Sequence, residues 1–78
     1  MNAEQLQSIV AESISAESIL ASGEGGKFEV EISSDLFTGL NTLKRHQMVY
    51  KAVNEFISSG EVHALTIKAF TPEEYQQR

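Results

Sequence analysis

Residues 27–33 read KFEVEIS, a strict alternation of apolar and charged side chains. Side chains of a β-strand point to opposite faces in turn, so Phe28, Val30 and Ile32 share one face and Glu29 and Glu31 the other. The segment therefore commits the chain to a sheet with one apolar face, which something else must cover. The preceding residues 17–22, ESILAS, form a shorter and less regular strand. Between them lies GEGG, residues 23–26, whose glycines supply the positive φ of a hairpin turn. Residues 17–33 are thus expected to fold as a β-hairpin.

The cover for that face comes from helical periodicity. Asn2 is placed to cap a helix with Gln5 at the capping-box position, and Leu6, Ile9, Val10 and Ile14 follow as an apolar stripe. SSDLFTGLN is turn-rich. From Asn41 to Ser58 the pattern is again helical, with a break or bend expected near Arg45–Gln47. Met48, Val49, Ala52, Val53, Phe56 and Ile57 make one broad core face, and Gly60 suits the helix end. GEVHALTIKAF, residues 60–70, reads as a third strand, with His63 on the face of Leu65 and Ile67. Thr71, Pro72 and Glu74 then stand at N-cap, N1 and N3 of a last helix. The order is α-β-β-α-α-β-α, in one domain spanning 1–78.

Seventy-eight residues are near the lower limit for a self-supporting core. The chain has no cysteine, so no disulfide supports that core, and it carries no thiol nucleophile or thiolate ligand. It contains no apolar run long enough to span a bilayer. The stretch MNAEQLQ is too polar for a secretory signal, and a cytoplasmic location is the expectation. The net charge of −5 opposes binding of nucleic acid through the overall field. Against that background Lys44, Arg45 and Lys51, with His46 among them, form one local basic patch.

Three constellations bear on function. GEGG matches the GxxG loop of KH domains in letters, but that loop joins two helices, whereas this one joins two strands and carries Glu24. LKRHQMVYK has the composition of the basic helix in a helix-turn-helix reader. Its main face is committed to the core, which leaves Lys44, Arg45, Gln47 and Lys51 for phosphate contacts. The third constellation is the histidine pair, His46 and His63. No strand–turn–helix elbow holds a serine beside either one, and no P-loop or dinucleotide fingerprint is present, so no enzymatic activity is expected. Two histidines without cysteine cannot close a structural zinc site unless carboxylates complete it. Pattern alone leaves His63 either a hydrogen-bonded, partly buried ring or a ligand offered outward at the start of its strand.

Four spaced segments, in this order, resemble the BolA/IbaG family: Ser34-Asp35-Leu36-Phe37-Thr38-Gly39, Arg45-His46 with Val49-Tyr50, Val62-His63-Ala64-Leu65, and Thr71-Pro72-Glu73-Glu74. The likeness covers nearly the whole chain, and the short N-terminus and SGEGG connection are similar to the IbaG-type branch. It implies an α+β domain of class II KH-like topology, a three-stranded mixed sheet with helices packed on it. It also implies a non-enzymatic adaptor that binds a monothiol glutaredoxin and co-ligates a bridging [2Fe–2S] cluster, in iron–sulfur and iron homeostasis or stress response. The glutaredoxin and glutathione supply thiolates, and the BolA-like partner supplies the histidine corresponding to His63. The isolated chain would be a monomer or weak homodimer and would not hold the cluster alone. The alternative implied role is a DNA-binding regulator using a helix-turn-helix segment around residues 41–57, with Lys44, Arg45 and Lys51 as contacts.

A shared cluster needs only one or two imidazoles from this chain, and histidine in place of cysteine makes such a site less anionic and raises its potential. The sequence departs from the family pattern twice. Many relatives carry a second ligand, Cys or His, between the first two strands, where this chain has Ser22-Gly23-Glu24-Gly25-Gly26-Lys27. His46, as a weak candidate, a carboxylate or a group of the partner is expected to take that place, or the cluster is weakly held. The family's tryptophan after the TPEE motif is Tyr75 here, an aromatic that keeps a packing role on the last helix.

Overall fold

A computed structural model describes all 78 residues. Helix α1 spans Ala3–Ser13, strand β1 Ser18–Glu24 and strand β2 Lys27–Ser33. A single 3-10 turn, Asp35–Phe37, precedes the long helix α2, Thr42–Ser58. Strand β3, Ala64–Phe70, and helix α3, Pro72–Gln77, complete the chain. The sheet order is β1-β2-β3; β1 runs antiparallel to β2, and β3 runs parallel to it. The expected α+β class and three-stranded mixed sheet hold; the 3-10 turn lies in the stretch expected as a turn-rich link, and the two central helical pieces expected within 41–58 are a single helix.

The alternation of KFEVEIS makes β2 the centre of the sheet. Phe28, Val30 and Ile32 are buried beneath α1 and α2, flanked by Ala21 of β1 and Ile67 of β3. Leu6 and Val10 of α1, with Ile14 beyond its end, and Val49 and Val53 of α2 cover them. Phe37, the largest fully buried side chain, closes one end of this core, and Val62 is buried ahead of β3. The opposite face of β2 is charged: Glu29 pairs with Lys68 at 3.5 Å and Glu31 with Arg78 at 3.8 Å.

Local chemistry fixes the element ends. Asn2 and Gln5 form the reciprocal capping box of α1, and Thr71 and Glu74 that of α3, with Pro72 opening the helix. Asn41 caps α2 by accepting from the Lys44 amide at 2.9 Å. Ser34 caps the 3-10 turn, and its hydroxyl donates to the Ser15 carbonyl at 2.6 Å, tying that turn to the segment after α1.

The structure corrects four expectations. Residues 42–58 form one unbroken helix without a bend near Arg45–Gln47, because no Gly or Pro interrupts its backbone ladder. There is accordingly no turn inside 41–57, and the helix-turn-helix arrangement expected there is absent. Ile57, assigned to the core face of α2, is 37% exposed. His63 does not lie inward beside Leu65 and Ile67; it is exposed and precedes β3, whose pairing with β2 begins at Ala64.

Candidate functional site

The region around His63 is built by the β1–β2 hairpin and the parallel pairing of β3. The two strands pair to Glu24↔Lys27, which leaves a two-residue turn. Gly25 and Gly26 take φ of 64° and 80°, the type I′ pattern that matches strand twist and favours glycine. Because β3 lies parallel beside β2, its beginning arrives at this tip. The Gly26 carbonyl accepts from the His63 amide at 2.7 Å and from the Ala64 amide at 3.1 Å. One carbonyl thereby fixes both the hairpin tip and the backbone that carries the imidazole.

The imidazole lies directly over Gly26. A Cβ at Gly26 would fall 2.2 Å from His63 Cδ2 and 3.1 Å from Cγ, well inside van der Waals contact. At Gly25 a Cβ would meet nothing within 4 Å. The side chain is exposed, and no hydrogen bond within the chain engages either ring nitrogen. Such a ring has nitrogen atoms free to bond a group from outside the chain.

The structure does not bring the other predicted site residues to this place. Arg45, in the first turns of α2, is only 13% exposed in its side chain and spends its guanidinium internally. Its Nε donates to the Leu40 carbonyl at 2.9 Å, and Nη1 to the Ala69 carbonyl at 3.2 Å and to Glu74 Oε1 at 2.6 Å. The guanidinium carbon also stands 5.9 Å from the centre of the Phe37 ring. Arg45 is therefore a clamp joining the start of α2, the end of β3 and α3, and the basic patch loses its middle member. The Arg45 guanidinium, then the backbone amide of Thr71, hold the Glu74 carboxyl below its ordinary value of 4.5.

His46 sits beside Arg45 in sequence, at the end of the sheet where Arg45 reaches Ala69. His63 lies before the opposite end of β3, a strand length of roughly 20 Å away. The two histidines are not brought together, and no group of three or more His, Asp or Glu side chains converges as a metal site. Lys44 and Lys51 are exposed on α2. Lys51 borders a cleft of about 380 Å³ with Ser13, Ile14, Met48 and Ala52. A second cleft, about 400 Å³, opens between the 3-10 turn and α3 and is lined by polar residues, among them Asp35, Arg45, Glu73 and Glu74. Sequence reasoning misses the roles of Gly26 beneath His63 and of Val62 before it. The type I′ glycine pair is legible in the letters, but its contact with His63 depends on long-range pairing.

A small α+β sheet with a hairpin joined in parallel to a third strand, under two helices, is the class II KH-like arrangement. The family profile described as BolA-like protein matches residues 3–74, and the chain belongs to that family. It is 35% identical over 75 residues to the acid stress protein IbaG of Escherichia coli K12, covering 96% of this chain and 89% of that one. A BolA homologue from Coxiella burnetii superposes with a TM-score of 0.83 at 30% identity, with 97% of each chain covered. The BolA domain of SufE1 from Arabidopsis thaliana superposes with a TM-score of 0.80 at 27% identity, covering 92% of this chain and 93% of that domain. No helix of the chain is long and apolar enough to cross a membrane.

Proposed function

We propose that this chain is a non-enzymatic adaptor in iron–sulfur handling, which binds a monothiol glutaredoxin and contributes His63 to a [2Fe–2S] cluster shared with that partner and glutathione. The observation that carries this reading is the presentation of His63. Its backbone is anchored through the 2.7 Å bond to Gly26, its ring is exposed, and both ring nitrogens are free of intrachain partners. The residues fit a contribution of one ligand rather than a complete site. The glycine tip beside the ring also leaves lateral space for a partner's surface. When bound, the cluster would supply redox or transfer chemistry; this chain holds one imidazole in a fixed place and carries the surface the partner recognises. The IbaG relative, named for acid stress, supports a place in stress response for the same adaptor.

The test combines the protein with a monothiol glutaredoxin, iron, sulfide and glutathione. A coloured heterodimer is expected, and His63→Ala should shift its visible absorption and hasten loss of the cluster. An unchanged spectrum and lifetime in that variant would remove His63 from the site. Failure of the unsubstituted chain to form any coloured complex would remove the adaptor reading itself. His46→Ala should leave the complex as it is, since His46 stands at the far end of the sheet.

A further inference from the structure

We propose that Gly26 is the positioning residue of His63: the missing side chain at the second turn position is the seat on which the imidazole rests, and it sets the direction in which the ring is offered. This deepens the proposed function and, in its functional half, rests on His63 being a ligand. The sequence makes the glycine pair look redundant, since both residues have positive φ and both satisfy a type I′ turn. The surroundings separate them. Space is open above Gly25, while above Gly26 the place of a Cβ is already taken by His63 Cδ2.

The His63 backbone cannot retreat to make room, because its amide and that of Ala64 both donate to the Gly26 carbonyl. A side chain at position 26 must therefore turn the ring about χ1, away from the hairpin tip. The ring is exposed, so that rotation meets little resistance from the fold, and its consequence falls on orientation. Ligand geometry is commonly held by such outer contacts, and their loss costs roughly 10–100-fold in metal retention. The seat also gives the loop composition a reason. A residue larger than glycine at position 26 would occupy the place where the imidazole now lies, so a ligand side chain there and this orientation of the ring exclude one another.

Gly25→Asn and Gly26→Asn form the deciding pair, because asparagine tolerates left-handed backbone better than other substituents. By NMR, the unsubstituted protein should show a nuclear Overhauser contact between the Gly26 Hα protons and the His63 ring Hδ2. Gly25→Asn should keep both the contact and the His63 χ1 rotamer, whereas Gly26→Asn should change the rotamer and shift the ring resonances. In the glutaredoxin complex, Gly26→Asn should lose the cluster roughly 10–100-fold faster, while Gly25→Asn matches the unsubstituted chain. Absence of the contact in the unsubstituted protein overturns the seat, and that measurement stands even if Gly26→Asn does not fold. Equal ring shifts in the two variants also overturn it. If His63→Ala alters the cluster spectrum and Gly26→Asn does not, positioning is refuted while the ligand survives. If His63→Ala changes nothing but the NMR results hold, the ligand reading falls and the seat remains.

Discussion

Replacing Arg45 by alanine should unfold the chain far more readily, although a basic residue on a helix reads in the sequence as surface. Two charge-assisted hydrogen bonds disappear, to the carbonyls of Leu40 and Ala69 at 2.9 and 3.2 Å. Such bonds are worth about 1.5–3 kcal/mol each, but both carbonyls are only partly buried and water can replace part of the loss. The methylene stem is also stripped from its packing, since the side chain is 13% exposed. The pair with Glu74 adds little, because that carboxylate lies at the surface. The total is about 2–4 kcal/mol, a large part of the roughly 4–12 kcal/mol expected for a chain of this length. At about 4–8 °C per kcal/mol for a domain this small, the melting temperature should fall by roughly 8–32 °C. Arg45→Lys should recover only part of this, since an ammonium cannot span the Leu40 and Ala69 carbonyls as the guanidinium fork does. Urea and thermal unfolding followed by circular dichroism measure both variants. An Arg45→Ala protein as stable as the original, but with partner binding lost, would refute the clamp and restore Arg45 to the surface patch.

Glu74→Gln keeps the capping box with Thr71, because glutamine also serves at N3, but it removes the carboxylate that Arg45 stabilises. Because the folded-state value is lowered, the carboxylate's contribution is fully present above its ordinary value of 4.5 and is lost as pH falls through the lower folded value. The gap in melting temperature between the two proteins should therefore be widest near neutrality and close below pH 4.5; a gap that stays constant with pH would contradict this assignment. Phe37→Ala empties the largest fully buried site and should cost about 3–5 kcal/mol, read as a lower urea midpoint at unchanged slope. A loss below about 1 kcal/mol would mean that the 3-10 turn is not part of the core.

The features legible in the sequence are those that neighbours decide. Both capping boxes are closed by residues three apart, Asn2 with Gln5 and Thr71 with Glu74, and both can be read in the letters. The alternation of KFEVEIS locates the central strand because one face of it has to be buried. The bend expected near Arg45–Gln47 does not form, because no Gly or Pro interrupts the backbone ladder of α2. Arg45 itself reads as a surface residue because its partners lie 24 and 29 positions away, at Ala69 and Glu74. The period of β3, extended back from Ala64 to residue 60, points His63 inward. The true start of β3 is set by the carbonyl of Gly26 in another part of the sheet, and no local pattern contains that information.

That carbonyl links two features that look unrelated in the sequence: a candidate ligand histidine before β3, and a β1–β2 loop with neither Cys nor His. Parallel pairing brings residue 63 against residue 26, and with His63 resting where a Cβ would be, the loop is free of side chains at the point of contact. The lack of a loop ligand is then more than a deletion from the family pattern. Under the proposed function the hairpin would serve to aim the histidine rather than to offer a ligand of its own. If His63 is a cluster ligand as proposed, a second ligand beside it would come from the partner rather than from His46, which the length of β3 holds at the other end of the sheet.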